Sequence, residues 1–432
     1  MCGERDRMSD GILADLAARG LIHDSTDMDR LRERLSTGPM AVYSGFDPTA
    51  DSLHIGNLVP LLLLRRFQDA GHRPIAVAGG ATGMIGDPGG RADERSLLDQ
   101  TTIDENLAGI TPQLERFLDF SAGDSGAEVL DNRTWTAQLS MLEFLRDVGK
   151  HITVNAMLAK DSVKARVSSE NGISYTEFSY MLLQANDYWW LHGNRGCELQ
   201  VGGSDQWGNI TAGIDLIRRR SGAAAHGLTV PLITRADGAK YGKSADGAIW
   251  LSPAKTSPYA FYQYWMNVDD RDIERFLLQL TLLPVGEATA VAAQHASSPE
   301  SRTGQRRLAH EMTALIHGQE AAVAAAGASE LLFGGGAGSV DAQSFVMLAA
   351  ELPTAAVERS QLAAGIPAVE LAALTTLVTS NSDARRGLDA NEFAVNGKRL
   401  SLEDTVNERD LVHDRFLLVR RGKKRFELLH CR

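Results

Sequence analysis

The sequence predicts an α/β protein: a parallel sheet wrapped by helices, then a helical part, then a small α+β unit. Three observations predict it. Short strand-like runs alternate with helical patterns through the first half, as in chains of βαβ units. After about Ser257 the strand patterns give way to helical ones, the later of them rich in alanine. The final stretch, ending in VRRGKKRFELLHCR, concentrates basic residues in a chain whose formal net charge is -11.

Residues 40–46 and 75–79 read as strands. Between them, Ile55, Leu58, Val59, Leu62, Leu63 and Phe67 recur at helical spacing over 55–70, and Gly71 is the expected stop. Further strands are expected at 127–130, 198–201 and 228–234, and long helices at 101–120, 136–158 and 178–192. Residues 269–283 and 288–326 are helical in pattern, and GGGAGS at 334–339 has linker composition. The expected domains are 1–235, 236–333 and 365–432, with 334–364 as a linker region.

Composition narrows the function. An apolar share of 44% with 23% charged residues suits a soluble globular protein, and 432 residues suffice for a large core. The net acidity excludes attraction of nucleic acid by the chain as a whole, so a polyanion partner must meet a local basic patch. Cys2, Cys197 and Cys431 stand far apart with no CxxC pair, which supports neither a disulfide framework nor a zinc knuckle. No protein-held metal is expected, and a reducing cytoplasm is the expected compartment. The start, MCGERDRMSD, is charged rather than apolar, unlike a signal peptide. The apolar run at 58–64 is too short to cross a bilayer, so no membrane partner is expected.

Five stretches carry candidate chemistry. YSGFDPTADSLHIGN (43–57) runs from a strand end into a helix start, where free backbone N–H groups and the positive dipole end suit phosphate. His54 can donate to a phosphate oxygen, and Gly56 lets a flat ring lie against the backbone. The plain alternative is a helix start with an incidental His-Gly. GGATGMIGDPGGR (79–91) lacks the GxGxxG and GK[ST] fingerprints. It is either a glycine-rich turn or a close-approach loop in which Asp87 faces an ammonium group. In YMLLQAND (180–187), Tyr180, Gln184 and Asp187 share one helix face, either a solvated stripe or a buried polar one satisfied by a ligand. VGGSDQWGN (201–209) puts Asp205 and Gln206 just past a strand, suited to ribose hydroxyls or to a simple cap. ADGAKYGKS (236–244) is a basic turn, or a cationic loop able to fold over a polyphosphate.

Jointly and in this order, the five stretches resemble one family. His54-Ile55-Gly56-Asn57 and Lys240-Tyr241-Gly242-Lys243-Ser244 look like the two signatures of class I aminoacyl-tRNA synthetases. YSGFDPTADSLHIGN, GGATGMIGDP, EFSYMLLQAND and QVGGSDQWGNI resemble the bacterial-type tyrosyl-tRNA synthetases in particular. The resemblance implies a Rossmann-like catalytic domain at 1–235, an α-helical anticodon-side domain at 236–333 beginning with the second-signature loop, and an S4-like RNA-binding domain at 365–432. It implies joining of L-tyrosine to ATP, with Mg2+ on the phosphates, and transfer of tyrosine to the terminal adenosine of tRNA(Tyr) by a homodimer.

By that resemblance, Tyr43 and Asp187 meet the phenol hydroxyl of tyrosine. Asp87, Tyr180 and Gln184 hold its ammonium, and Gln206 lies by its carboxylate. Gly45, Asp47, Gly56, Asn57, Gly203 and Asp205 correspond to nucleoside positions. Thr49, His54, Lys240, Lys243 and Ser244 grip phosphates, and Arg91 and Arg95 meet pyrophosphate from a mobile loop. In the final unit, SNSDARRG and VNGKR match the S4 pattern, with Arg385, Arg386, Asn396 and Lys398 as phosphate contacts. Four departures stand out: Asn57 where many members have His, Tyr241-Gly242 inside the second signature, Ser44 where some have Cys, and Arg91 where Lys is common. Three other readings are a tryptophan-specific relative, an idle RNA-binding protein on this scaffold, and a nucleotidyltransferase. The Tyr43–Asp187 pair, the intact signatures and the S4-like tail argue against them respectively.

Overall fold

The computed structural model describes residues 11–88, 97–168, 172–236, 238, 243–244, 247–333 and 340–432. It divides into two compact units, Met1–Lys255 with Arg271–Ala293, and Thr256–Asp270 with Gln294–Arg432.

The first unit is built on a five-stranded sheet of β1 (Ala41–Phe46), β2 (Arg73–Ala78), β3 (Glu128–Asp131), β4 (Cys197–Gly203) and β5 (His226–Val230). These are the five strands expected in the catalytic part. They run in the order β3-β2-β1-β4-β5, every pairing parallel. That is Rossmann-like order, and succession reverses at β1 and β4, so a crevice opens beyond their carboxyl ends. The helix Leu58–Asp69 packs on β1, β2 and β4, burying Leu58, Leu61, Leu62 and Phe67. Helices Tyr175–Arg195 and Trp207–Ser221 pack against each other and against β4. Tyr43, Ile75, Val77, Tyr188 and Leu191 share one core cluster.

Two expected long helices are broken. The stretch 136–158 contains Met141–Asp147 and Val154–Leu158 as separate helices. Ser140 forms a capping box with Glu143, and Thr153 caps the second helix, so each side chain starts a new helix where periodicity alone continued the old one. The stretch 288–326 is likewise divided: Val285–Ser297 ends before Pro299, and Gly318 separates Thr303–His317 from Gln319–Phe333.

The second unit joins helices to a mixed sheet. Strands β6 (Lys243–Ser244) and β7 (Gly247–Ala248) form a short hairpin in the first unit. In the second unit, β8 (Thr354–Val357), β10 (Phe393–Val395), β11 (Lys398–Arg399), β13 (Phe416–Arg421) and β14 (Arg425–Cys431) form a sheet ordered β11-β10-β13-β14-β8, while β9 (Ile366–Pro367) pairs with β12 (Thr405–Val406). Phe416 and Leu418 face a cluster with Tyr259, Leu331 and Phe345, whereas Leu417 and Val419 face another with Leu371, Leu388 and Phe393. Burial on both faces accounts for the unbroken apolar run FLLV.

The limits of this sheet differ from the expected linker. Residues 342–364 include the helices Ala342–Glu351 and Arg359–Ala364, and β8 pairs in parallel with β14 from Thr354–Leu428 to Val357–Cys431. The segment therefore belongs structurally to the final sheet. Its own residues carry no sign of this, because a four-residue edge strand is recognised only through its partner.

Candidate active site

A cavity of about 490 Å³ opens at the carboxyl ends of β1 and β4. Such a volume is ordinary for a small-molecule site. Tyr43, Gly45, Asp47 and Thr49 line it from the first stretch, followed by His54, Gly56 and Asn57 at the start of the next helix. Asp87 comes from the second stretch, Tyr180, Gln184 and Asp187 from the third, and Gly203, Asp205 and Gln206 from the fourth. The four stretches thus converge. Position 240 and positions 91 and 95 lie outside the described residues, as do the side chains at 243 and 244.

The helix start explains its own sequence. His54 is the N-cap of the turn Ile55–Asn57 and its Nδ1 accepts from Gly56 N at 3.0 Å, while His54 N donates to Asn57 Oδ1 at 3.0 Å. With Nδ1 an acceptor, the neutral ring carries its proton on Nε2 and is a donor there. A Cβ on residue 56 would sit 2.7 Å from His54 Cε1, so only glycine lets the imidazole fold over this backbone. Asn57 supplies the acceptor of the reciprocal capping bond through its carbonyl oxygen.

A chain of hydrogen bonds crosses the floor of the cavity. Tyr180 Oη donates to Asp47 Oδ2 at 2.9 Å, and Thr82 Oγ1 donates to Asp47 Oδ1 at 2.7 Å. Gly79 has no room for a Cβ, which would lie 2.1 Å from Asp47 Oδ1. Asn132 Nδ2 donates to Asp187 Oδ2 at 2.9 Å and Trp135 Nε1 to Asp187 Oδ1 at 2.8 Å. On the other side, Gln206 Nε2 donates to Asp87 Oδ2 at 2.6 Å, and Asn209 Nδ2 to Gln184 Oε1 at 3.1 Å.

Among the described residues, two buried polar atoms of this wall have no partner: Tyr43 Oη and Gln200 Oε1. Their residues are paired across β1 and β4, and both line the cavity. Buried polar atoms normally find partners, so this pair marks a place where a ligand's polar group belongs.

Electrostatics sharpen the picture. Burial pushes the Asp187 carboxyl up to about 7, against the donors Asn132 and Trp135, which favour its ionised form. Burial also raises the Tyr43 and Tyr180 phenols well above their usual value, helped by Asp187 and Asp47 respectively. Asp205 is raised by burial and then by the negative Asp87. Asp47, Asp87, Asp187 and Asp205 all line the cavity, and its described lining contains no lysine or arginine. Such a floor suits a cationic group.

Asn132, Trp135, Gln200, Asn209 and Thr82 were not foreseen. Asn132 stands directly after β3, as Asp205 stands two residues after β4. Gln200 is a lone polar residue inside a buried strand. Either signal was available.

Comparison with known proteins identifies the family. The model for "tRNA synthetases class I (W and Y)" matches residues 35–334. The "Tyrosine--tRNA ligase SYY-like C-terminal domain" matches residues 345–429. The tyrosine--tRNA ligase of Opitutus terrae is 51% identical over 97% of this chain and 99% of its own. The chain belongs to the tyrosine--tRNA ligase family. The family's member from Mycobacterium tuberculosis is 51% identical over 96% of this chain and 98% of its own. Among solved structures of tyrosyl-tRNA synthetases, the C-terminally truncated mitochondrial protein of Aspergillus nidulans superposes with a TM-score of 0.69 at 30% identity. It covers 77% of this chain and 99% of that one. Plasmodium falciparum tryptophanyl-tRNA synthetase shares the fold alone, with a TM-score of 0.52 at 14% identity over 74% of this chain and 88% of that one.

In the family's final domain, Arg385, Arg386 and Lys398 are exposed as a phosphate contact requires. Asn396 is different. Its Nδ2 donates to Asp410 O at 2.6 Å and its Oδ1 accepts from Leu418 N at 2.8 Å. With φ of 50° it shapes a turn, and its side-chain amide is engaged within the protein at both ends. One N–H of that amide is thus spent within the protein, and the second is the donor left for the expected phosphate contact.

Proposed function

We propose that the chain activates L-tyrosine with ATP to tyrosyl-AMP and pyrophosphate, then passes tyrosine to the 3'-terminal adenosine of tRNA(Tyr). One observation carries the amino-acid choice: the buried, partnerless hydroxyl of Tyr43 shares the cavity wall with the Asp187 carboxyl. A substrate hydroxyl gives the Tyr43 hydroxyl the partner it lacks and donates to a remaining lone pair of Asp187, whose oxygens already accept from Asn132 and Trp135. Phenylalanine would leave the Tyr43 hydroxyl unpaired, and a site built this way rejects the analogue strongly. Tyrosyl-tRNA synthetases are themselves the known example of this effect, and its size is established for them rather than inferred from this site.

The remaining roles follow from charge and geometry. Asp87, Gln184 and Tyr180 hold the ammonium; the Tyr180 hydroxyl gives its proton to Asp47 and keeps its oxygen lone pairs for the substrate. Gln206, fixed on Asp87, lies by the carboxylate. Gly45, Asp47, Gly203 and Asp205 receive the nucleoside, with Gly56 giving it room and the Asn57 amide a donor. His54 Nε2 and Thr49 donate to the phosphates. The carboxylate of tyrosine is already a nucleophile, so no general base is required; alignment and stabilisation of the departing pyrophosphate suffice. Cations for the pyrophosphate come from Lys240, Lys243, Arg91 and Arg95, with Ser244 beside them and Mg2+ arriving on ATP as part of the substrate.

The final domain, with Arg385, Arg386 and Lys398, grips tRNA, and the helical part lies toward the anticodon. The enzyme works in the cytoplasm as a homodimer. Exposed Met141, Leu142 and Leu145, close together on the helix Met141–Asp147, support a protein-covered surface there. No helix among the described residues is long and apolar enough to cross a membrane.

Charging of total bacterial tRNA with labelled tyrosine tests this function. ATP-dependent formation of an alkali-labile tyrosyl ester is expected; its absence would contradict the proposal.

A further inference from the structure

The segment 249–252 runs beside the residues that precede the first signature. Leu251 N donates to Leu53 O at 2.8 Å and Ile55 N to Ile249 O at 3.0 Å, so Trp250 stands opposite His54 in an antiparallel bridge. Ser252 N adds a bond to Ser52 Oγ at 3.1 Å. The Trp250 indole meets the His54 imidazole edge-on, with centroids 6.1 Å apart and planes at 62°. Lys255 Nζ lies over the Trp250 ring at 5.2 Å and pairs with Asp51 at 2.7 Å. The strap follows directly on the hairpin β6–β7.

The imidazole is held from below by Gly56 and from the side by an aromatic edge. The ring cannot turn without breaking one contact or the other.

We propose that Trp250 is a positioning residue for His54, holding the imidazole so that Nε2 points at the phosphate, with the 249–252 strap fixing the distance from the hairpin to the first signature. The catalytic part of this inference rests on the phosphate-donor role given to His54.

A double-mutant cycle tests it. Trp250→Leu keeps apolar bulk without an aromatic edge, and Trp250→Phe restores the edge. Trp250→Leu is expected to lower kcat of tyrosine-dependent ATP–pyrophosphate exchange roughly 10- to 100-fold, the scale of a misplaced catalytic group, with unchanged tyrosine affinity. Trp250→Phe should recover most of the loss. In a His54→Ala background the Trp250→Leu change should cost nothing further. Losses that multiply in the double variant, or a parallel fall in tyrosine affinity, would overturn the proposal. Imidazole NMR of the folded protein gives a readout independent of catalysis. Trp250→Leu should shift the His54 ring resonances, and unshifted resonances would overturn the positioning role even if wild-type exchange failed and the enzymatic reading fell with it.

Discussion

The Nδ1 of His54 accepts the backbone N–H of Gly56 at 3.0 Å. This bond sets the proton on Nε2 and leaves that nitrogen as the ring's donor, the atom proposed to meet phosphate. Gly56→Ala places a methyl 2.7 Å from the ring and must displace it. The expected result is a kcat loss of about 10²-fold in exchange, comparable to losing one preorganised donor. Tyrosine affinity, measured by equilibrium dialysis, should stay within about twofold, since neither the imidazole nor Gly56 is proposed to meet tyrosine.

Asp187 predicts a pH dependence. Its carboxyl is raised from 3.8 to about 7, and the ionised form is the stronger acceptor for a phenol hydroxyl. Tyrosine affinity should therefore weaken as pH falls below about 7, approaching tenfold per unit. Asp187→Asn should abolish that dependence. The folded state also keeps a proton that the unfolded chain releases near 3.8, so this group's contribution to stability is lost as pH rises through about 7. The melting temperature of Asp187→Asn relative to the wild type should accordingly be more favourable at pH 8 than at pH 5.

Trp135→Phe removes a donor to Asp187 at 2.8 Å. Hydrogen bonds to a carboxylate favour its charged form, so their loss moves the pKa upward. The midpoint of the affinity–pH curve should shift to higher pH. A curve unchanged in position would contradict the link between Trp135 and Asp187.

Tyr43→Phe deletes a buried hydroxyl that has no partner in the free protein. Unmet buried polar groups cost about 1–3 kcal/mol, so the variant should be at least as stable as the wild type. Discrimination between tyrosine and phenylalanine, read by competition kinetics, should fall nonetheless.

The pairing of β8 with β14 ties residues 354–357 to the final sheet. A chain ending at 339 should retain pyrophosphate exchange and lose tRNA charging. A chain ending at 364 keeps β8 but removes β14, leaving an unpaired edge, and should aggregate more readily. Equal loss of exchange and charging in the shorter chain would contradict a separable tRNA-binding part.

Legibility in the sequence followed the range of the interactions. The five parallel strands and the cavity stretches were readable because each signal is local: a period, a glycine, a polar residue past a strand end. The breaks at Ser140 and Thr153 are local too, but capping overrode the periodicity that suggested a single helix. Asn132 and Trp135 escaped notice because their partner Asp187 is more than fifty residues away. Asn396 looked like a free donor in VNGKR, and only folding brings Leu418 and Asp410 to its amide.

Amino-acid-dependent ATP–pyrophosphate exchange by the purified full-length chain tests tyrosine activation most directly. Tyrosine should support rapid exchange, and phenylalanine and tryptophan should support essentially none. Exchange with tryptophan in place of tyrosine, or with no amino acid at all, would contradict it.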